Sequence, residues 1–248
     1  MEAAPMTAES MHYAPRIPAP TPARMRRVRC LLAVSLALAM TVPAAFAAER
    51  DIDKVNGSIT VEAAERYGNL DTVNGSINIG AGARVADAET VNGSIRVAED
   101  VQAGALSTVN GSIRVATNAT ISKGVSTVNG SIFVDRGGSV RGDVETVNGA
   151  IGLVDTDVGG GIETVNGDVT VGVGSQVVGG IHYRKPSKQW ISLGKRKPPR
   201  VVIGPNARVD GPLRFEREVV LYVHGTARIG LVTGATAVGY DGPTPPAR

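Results

Sequence analysis

Few side chains in this 248-residue sequence have the chemistry of a catalytic or metal-binding group. After residue 47 the chain contains two histidines, His182 and His224, and no cysteine. Neither histidine is accompanied by the ligand cluster that a zinc site requires, and His182 suits a turn or cap better than a general base. We therefore predict a non-enzymatic protein with no catalytic residue, no metal site and no cofactor.

Acidic side chains offer the main alternative to that prediction. Five of them lie at expected outward positions and could line a polysaccharide lyase or hydrolase cleft: Asp143, Glu145, Asp155, Asp157 and Glu163. They show no repeating pair of carboxylates, so a solvated acidic face is the favoured interpretation.

One segment is strongly basic: residues 183–200 (YRKPSKQWISLGKRKPPR) hold seven Lys or Arg, three Pro and no acid, whereas residues 48–182 hold nine basic and seventeen acidic residues. One hypothesis is contact with an anionic surface, such as lipid headgroups, a cell-wall polymer or the acidic side of a neighbouring molecule, with Tyr183 and Trp190 as amphipathic anchors. The other is a solvated loop. Nucleic acid is not an expected partner, because the basic residues are concentrated in one loop. The candidate contacts are Arg184, Lys185, Lys188, Trp190, Lys195, Arg196, Lys197 and Arg200.

The first 47 residues have the composition of an export leader. Arg26, Arg27 and Arg29 precede a 12-residue apolar run (residues 31–42), and Ala45-Phe46-Ala47 provides small residues for cleavage. The run is shorter than the ~20 residues of a transmembrane helix, so we predict a signal peptide at 25–47, with a retained membrane anchor as the alternative. Residues 1–24 are expected to be untranslated or disordered. The leader indicates the periplasm or surface of a bacterium.

Internal repetition is the strongest signal in the sequence. Val-Asn-Gly recurs seven times with a period of about 18 residues, and Ser-Ile follows it in the first five copies. Gly, and less often Asn, tolerates the positive φ of a corner, and stacked Asn side chains can form hydrogen-bonded ladders. The repeated residues are Asn56, Gly57, Asn74, Gly75, Asn92, Gly93, Asn110, Gly111, Asn129, Gly130, Asn148, Gly149, Asn166 and Gly167.

Apolar residues hold fixed positions in each repeat, four and six residues after the Val, as in Ile59 and Val61. A two-residue step indicates strands, and a period near 18 fits a solenoid coil but not a propeller blade. We predict an all-β, single-stranded parallel β-helix (β-solenoid) of about 18 residues per coil, right-handed by the rule for parallel crossovers. One coil buries too little apolar surface to fold alone, so stacking is obligatory.

The predicted organisation is a β-helix of about seven coils at 48–182, the basic Pro-rich insert at 183–200, two or three further coils at 201–240, and a disordered tail at 241–248. A Thr precedes each repeated Val from Thr72 onward. If that Val points inward, Thr and Asn form an outward array that resembles the faces of ice-binding solenoids, which is a less favoured alternative function.

Three segments resemble a known family: Gly138–Val144 (GSVRGDV), Ser175–Ile181 (SQVVGGI) and Ala207–Leu213 (ARVDGPL). They are similar to the coils of bactofilins, the polymer-forming bacterial cytoskeletal proteins. The Val-Asn-Gly-Ser-Ile units are also similar to exported adhesin-like domains with Val-x-Gly-x-Ile repeats. The resemblance implies a right-handed β-helix without catalytic residues that assembles end to end. We therefore expect a structural, scaffold or adhesin-like protein of the cell envelope.

Overall fold

The computed structural model describes residues 50–185 and 197–246. Within these ranges the regular secondary structure consists of 29 short β-strands in three parallel sheets. Each coil contributes one strand to each sheet in turn, and the same cycle repeats about ten times. The predicted parallel β-solenoid is confirmed.

Sheet A contains the strand that ends in the repeated Asn. Its ten strands, in spatial order, are β1 (Ile52–Asn56), β4 (Leu70–Asn74), β7 (Ala88–Asn92), β10 (Leu106–Asn110), β13 (Val125–Asn129), β16 (Val144–Asn148), β19 (Ile162–Asn166), β22 (Ile181–Tyr183), β25 (Leu213–Phe215) and β28 (Val232–Thr233).

The strands of sheet B follow those of sheet A in each coil, after the Asn-Gly corner in the first seven. Its ten strands are β2 (Ile59–Val61), β5 (Ile77–Ile79), β8 (Ile95–Val97), β11 (Ile113–Val115), β14 (Ile132–Val134), β17 (Ile151–Leu153), β20 (Val169–Val171), β23 (Arg200–Ile203), β26 (Val220–His224) and β29 (Ala237–Tyr240).

Sheet C is built from two-residue strands. These nine strands are β3 (Arg66–Tyr67), β6 (Arg84–Val85), β9 (Gln102–Ala103), β12 (Thr120–Ile121), β15 (Ser139–Val140), β18 (Asp157–Val158), β21 (Gln176–Val177), β24 (Arg208–Val209) and β27 (Arg228–Ile229).

The core consists of aliphatic columns inside the three sheets. In sheet A the column runs from Leu70 through Ala88 and Leu106 to Val125, with each residue in register with the next. In sheet B, Ile77, Ile95 and Ile113 stack in the same way. All of these side chains are at most 1 % exposed. Burial of small β-branched and aliphatic residues in parallel stacks supplies the stability that one coil lacks.

The structure does not meet the condition for an outward Thr array, which was that the repeated Val points inward. From Val55 to Val147 the valines are 37–66 % exposed, whereas from Thr72 to Thr164 the threonines are only 1–4 % exposed. Thr72 lies two residues after the buried Leu70 in the same strand, so both point inward and Val73 points outward. The strand alternation does not continue from Ile77 back to Val73, because the Asn-Gly corner separates the two strands. The outward Thr array of an ice-binding face is therefore absent from sheet A.

The basic insert interrupts the eighth coil at the corner between sheets A and B, where the first seven coils carry Asn-Gly. Ile181 is in register with Ile162, and Val201 is in register with Val169. The chain from Ile181 to Val201 is nearly three times as long as the chain from Ile162 to Val169, so the eighth corner carries the added residues. The strands on both sides keep the register of the preceding coil. A corner points away from the core, so it can accept added chain without disturbing the sheets.

The described part of the chain contains no helix of the length and apolarity required to cross a membrane.

Candidate interaction surfaces

The Asn-Gly corners form two stacked columns on one edge of the solenoid. Each Asn side chain donates from Nδ2 to Oδ1 of the Asn one coil earlier, at 2.9–3.1 Å, from Asn74 on Asn56 to Asn166 on Asn148. The predicted Asn ladder is confirmed. Its Asn side chains lie at the surface, and every donor points from a later coil toward an earlier one.

The repeated glycines are required by close approach rather than by a left-handed backbone. Gly57 has a φ of 108°, but Gly75, Gly93, Gly111, Gly130 and Gly167 are not among the positive-φ residues. A Cβ on any of these five would overlap the carbonyl oxygen of the Gly one coil earlier. The predicted need for a positive φ therefore applies at Gly57. At the other five positions glycine is needed because neighbouring coils lie too close together for a Cβ.

The same carbonyl oxygen anchors the inward threonines. Thr90 Oγ1 donates to Gly75 O at 2.9 Å, and the pattern repeats at 2.9–3.1 Å from Thr72 to Thr146. Each buried hydroxyl is thereby satisfied by the preceding coil, as a polar group inside an apolar core requires. Thr164 is the exception, because its buried hydroxyl has no partner among the described residues.

Arg217 terminates the Asn ladder at its later end. Its guanidinium donates to Val165 O at 2.7 Å and, in a shorter contact, to Asn166 Oδ1. The next coil carries the basic insert in place of Asn-Gly, so Asn166 Oδ1 receives no Asn donor. Sequence reasoning missed Arg217, since it is far from Asn166 along the chain and carries no repeat signal.

The ends of the basic insert belong to the solenoid. Tyr183 was expected to be an exposed anchor, but its side chain is fully buried and its hydroxyl donates to Gly167 O at 2.8 Å. It stands in register with Thr164 and takes the place of the repeated Thr. Burial raises the pKa of its phenol. Tyr183 is therefore a core residue and not a surface contact.

Two of the eight candidate contacts are engaged within the chain. Arg184 pairs with Glu163 at 2.6 Å. Arg200 begins β23, and its guanidinium lies 4.9 Å from the ring centre of Tyr222 and donates to Pro246 O at 2.8 Å. Lys185 and Lys197 are exposed and take part in none of the ion pairs of the described residues. Lys188, Trp190, Lys195 and Arg196 lie outside the described residues.

Both histidines have side-chain contacts that hold parts of the fold together. His182 Nε2 lies 2.9 Å from Glu216 Oε1 and its Nδ1 lies 3.9 Å from Glu163 Oε2, so it links neighbouring coils of sheet A. A backbone hydrogen bond from Lys185, followed by His182, lowers the pKa of the Glu216 carboxyl. His224 Nδ1 lies 2.9 Å from Thr226 Oγ1 within one turn.

A column of outward side chains on sheet A carries most of its acidic charge. Residues in register along it are Asp53, Asp71, Glu89, Ser107, Ser126, Glu145, Glu163, His182 and Arg214. Partial burial raises the pKa of Asp71, and Asp53, Asp51 and Asp87 raise it further. Partial burial likewise raises the pKa of Glu145, with added repulsion from Glu163 and Asp143. Like charges on adjacent strands thus lie close enough to repel.

An open groove runs along sheet A between this column and the exposed valines. It has a volume of about 350 Å³ and extends across five coils, from Ser107 and Val109 to Glu163 and Arg184. Its floor is the backbone of the strands whose Thr side chains point inward. One wall is therefore polar or acidic and the other is apolar.

The other two faces carry basic side chains in the first half of the solenoid. On sheet B, Arg96 and Arg114 are in register, and Arg114 lies 5.9 Å from the ring centre of Phe133. On sheet C, Arg66 and Arg84 are in register. In this half, the strands of sheets B and C carry these arginines and no acid, whereas the strands of sheet A carry Asp53, Asp71 and Glu89.

The five sequence-predicted acids are divided between two regions. Asp143, Glu145 and Glu163 lie beside His182 in a shallow depression. Asp155 lies at the corner between sheets B and C with a φ of 47°, and Asp157 is on sheet C. The described residues contain no group of three or more His, Cys, Asp or Glu placed to hold a metal ion.

No family model, no curated protein and no solved structure matches this chain. The solenoid is therefore established by the structure alone, and the resemblance to bactofilins and adhesin-like repeats stays an expectation.

Proposed function

We propose that this chain is an exported, non-enzymatic structural protein of the bacterial cell envelope, a scaffold or adhesin-like rod that self-associates end to end. The resemblance to bactofilins supports the polymer-forming part of this proposal, and the N-terminal leader supports export. The structural observation that carries it is the pair of unmatched strand edges at the first and last coils.

Each terminal strand has a partner on one side only among the described residues. β27, β28 and β29 form the last coils, and β1, β2 and β3 form the first. Because all strands are parallel and share one period, the last edge of one molecule has the hydrogen-bonding geometry to continue into the first edge of another. Such a head-to-tail contact is heterologous and propagates into a filament.

Apolar side chains accompany the hydrogen-bonding edge at the last coils. Leu231 is 74 % exposed and Val238 is 46 % exposed, and Ile229 and Val232 are only partly buried. Ile229 and Val232 continue the inner columns of Val209 and Leu213, and no later coil among the described residues closes them. Leu231 and Val238 lie beside them on the outward side, Val238 in register with Tyr222. Burial of Ile229 and Val232 against another molecule would extend the core.

The dispersed titratable groups support the non-enzymatic part of the proposal. Catalysis needs convergent groups whose protonation states differ. The outward acids of sheet A form a ladder of like charge, and the two histidines take part in structural hydrogen bonds.

The end-to-end contact is tested with the chain from residue 48 onward. Replacing the exposed Leu231 and Val238 together by Asp should abolish filaments in electron microscopy, because two charges are placed in the apolar end. The matched control replaces Val173 and Val178 by Asp, since these side chains are 54 % and 48 % exposed in the middle of the solenoid. Filaments in the control but not in the end variant are the expected result. Filaments of equal length in both would refute the end contact.

A second candidate is binding of an anionic envelope polymer or lipid headgroups by the basic insert. It is favoured by the side chains of Lys185 and Lys197 at its two ends, which are exposed and form no ion pair with another described residue. Replacing Lys185, Lys188, Lys195, Arg196 and Lys197 by Ser should release the protein from envelope fractions at low salt, since such contacts are electrostatic. Arg184 and Arg200 are left intact because they have partners in the fold. Unchanged fractionation would discard this candidate.

A further inference from the structure

We propose that the outer face of sheet A over the first three coils is a docking surface for the basic insert of a second copy of this chain. We call it the N-terminal acidic face, and it comprises Asp53, Asp71 and Glu89 with the exposed valines Val55, Val73 and Val91. This inference rests on the proposed self-association and adds a lateral contact to it.

The carboxylates of the N-terminal acidic face stack without forming an ion pair with any other described residue. Asp53, Asp71 and Glu89 are in register on successive strands, which lie about 4.8 Å apart. Burial raises the pKa of Asp71, three other carboxylates raise it further, and no cation acts against them. In contrast, Arg184 acts against the raised pKa of Glu145 further along the same column. A cationic partner would therefore relieve repulsion at the first coils.

The valine column gives the same face an apolar strip. Val55, Val73 and Val91 are 66 %, 41 % and 40 % exposed. A partner that matches the face should carry both positive charge and apolar side chains. The insert has this composition, with five Lys or Arg from Lys185 to Lys197 and with Trp190, Ile191 and Leu193 among them.

The length of the insert indicates that the partner is another molecule. Both ends of the insert are fixed at the solenoid, by Lys185 and by the buried Pro199, whose carbonyl accepts from Val220 N, so only the chain from position 186 to position 198 can extend away from it. A chain that goes out and returns extends by at most about seven residues, or ~23 Å at about 3.3 Å per residue. The first three coils are five to seven coils away, about 24–34 Å at about 4.8 Å per coil. The basic side chains lie before the tip, so the insert cannot reach its own N-terminal acidic face.

The two surfaces are different parts of the molecule, so the contact is heterologous. Each copy offers its insert at the eighth coil and its acidic face at coils one to three. A molecule that donates to one neighbour can receive from another, and the contact propagates as a staggered overlap.

The test uses the chain from residue 48 onward in sedimentation velocity at low salt. The triple variant D53N/D71N/E89Q should lower the association constant at least ~10-fold, because the contact depends on unscreened charge. The matched control E62Q/E65Q/E99Q removes three exposed charges at the corner between sheets B and C and should stay within about two-fold of the parent. Equal association of the acidic-face variant and the control would overturn the inference.

Charge reversal provides the second arm. In the L231D/V238D background, which removes the end contact, K188E/K195E/R196E should not associate alone, nor should D53K/D71K/E89K, but a mixture of the two should form heterotypic complexes. Failure of the mixture to associate would also overturn the inference.

The end variant L231D/V238D separates this inference from the proposed function. If it stops assembly while the acidic-face variant assembles like the parent, the end contact stands and the lateral contact is refuted. If the parent chain itself stays monomeric, both are refuted.

Discussion

At the scale of single residues, one carbonyl oxygen per coil accounts for two recurring features of the repeat unit. The oxygen of Gly93 accepts a hydrogen bond from Thr108 and occupies the space where a Cβ on Gly111 would lie. Thr and Gly are therefore fixed by the same atom from the preceding coil. The repeated Val has no such contact, and it remains on the surface.

Adding one methyl group in this column should destabilise the stack. Gly111→Ala forces a Cβ onto the Gly93 carbonyl and should lower the free energy of unfolding by about 1–3 kcal/mol, as overpacking does. The readout is the urea or thermal unfolding midpoint. Gly239→Ala is the matched control, since a Cβ there meets nothing within 4 Å. A shift as small as that of the control would contradict this prediction, because it would show that neighbouring coils can move apart to admit a Cβ without loss of stability.

The acidic column predicts a pH-dependent effect of Glu145→Gln. Burial and the neighbouring carboxylates raise the pKa of Glu145 in the folded state. A raised carboxyl pKa costs no stability below the unfolded pKa of about 4.3, and the full penalty applies above the folded pKa. The substitution should therefore stabilise the protein by about 0.5 kcal/mol near pH 7 and have no effect near pH ~3.

Urea unfolding at both pH values measures this difference. Glu62→Gln, at an exposed corner, serves as the control and should leave the midpoint unchanged at each pH. An equal gain from Glu145→Gln at both pH values would contradict a charge effect and indicate a change in packing.

The sequence predicts the aliphatic columns well but not the direction of every side chain. Leu70, Ile77 and Ile79 are buried as their spacing predicts, because they lie within continuous strands. The spacing left the sides of Val73 and Thr72 open, since the strand alternation does not continue through the Asn-Gly corner. Only the backbone path through that corner fixes which side each residue faces.

At the scale of elements, variation in coil length is confined to the corners. The corner between sheets C and A spans three residue steps from Ala103 to Leu106 but four from Ile121 to Val125. The strands on both sides stay in register. The longer spacing between the repeated valines Val109 and Val128 arises in this way, and the basic insert is a larger case of the same tolerance.

An inserted residue should therefore be accepted at a corner and rejected in a strand. One Gly between Gly104 and Ala105 lengthens a corner that is already longer in the next coil, and should change the unfolding free energy by about 0.5 kcal/mol or less. One Gly between Ser107 and Thr108 reverses every later side chain of β10 and should prevent cooperative folding. Circular dichroism and thermal unfolding distinguish the two, and equal stability would contradict the register argument.

Contacts between residues that are far apart in the sequence could not be predicted from the repeat. Arg217 closes the Asn ladder from a later coil, and Tyr183 replaces a Thr in the core although it lies in a basic segment. Neither position repeats, so the period that predicts the solenoid contains no information about them. The right-handed winding stays a prediction.

At the scale of the whole molecule, an almost balanced formal charge of +3 conceals strong separation. In the first half of the solenoid, the strands of sheet A carry Asp53, Asp71 and Glu89, whereas those of the other two sheets carry Arg96, Arg114, Arg66 and Arg84 and no acid. The sequence predicted an acidic body with a basic insert. Which face carries each charge depends on which residues of each strand point outward, and only the structure shows this.

The stacked Asn-Gly corners also bear on how this protein ages. Asn is a thermolabile residue, and Asn-Gly degrades when the Gly nitrogen attacks the Asn side chain and ammonia is lost. Here that nitrogen is held by the next coil, as in Gly75 N to Asn92 O at 3.1 Å, and the side-chain amide is held by the coil before. Ring closure therefore requires two coils to part. Chemical lifetime and mechanical integrity are thus linked, and wherever the stack opens first, deamidation should begin.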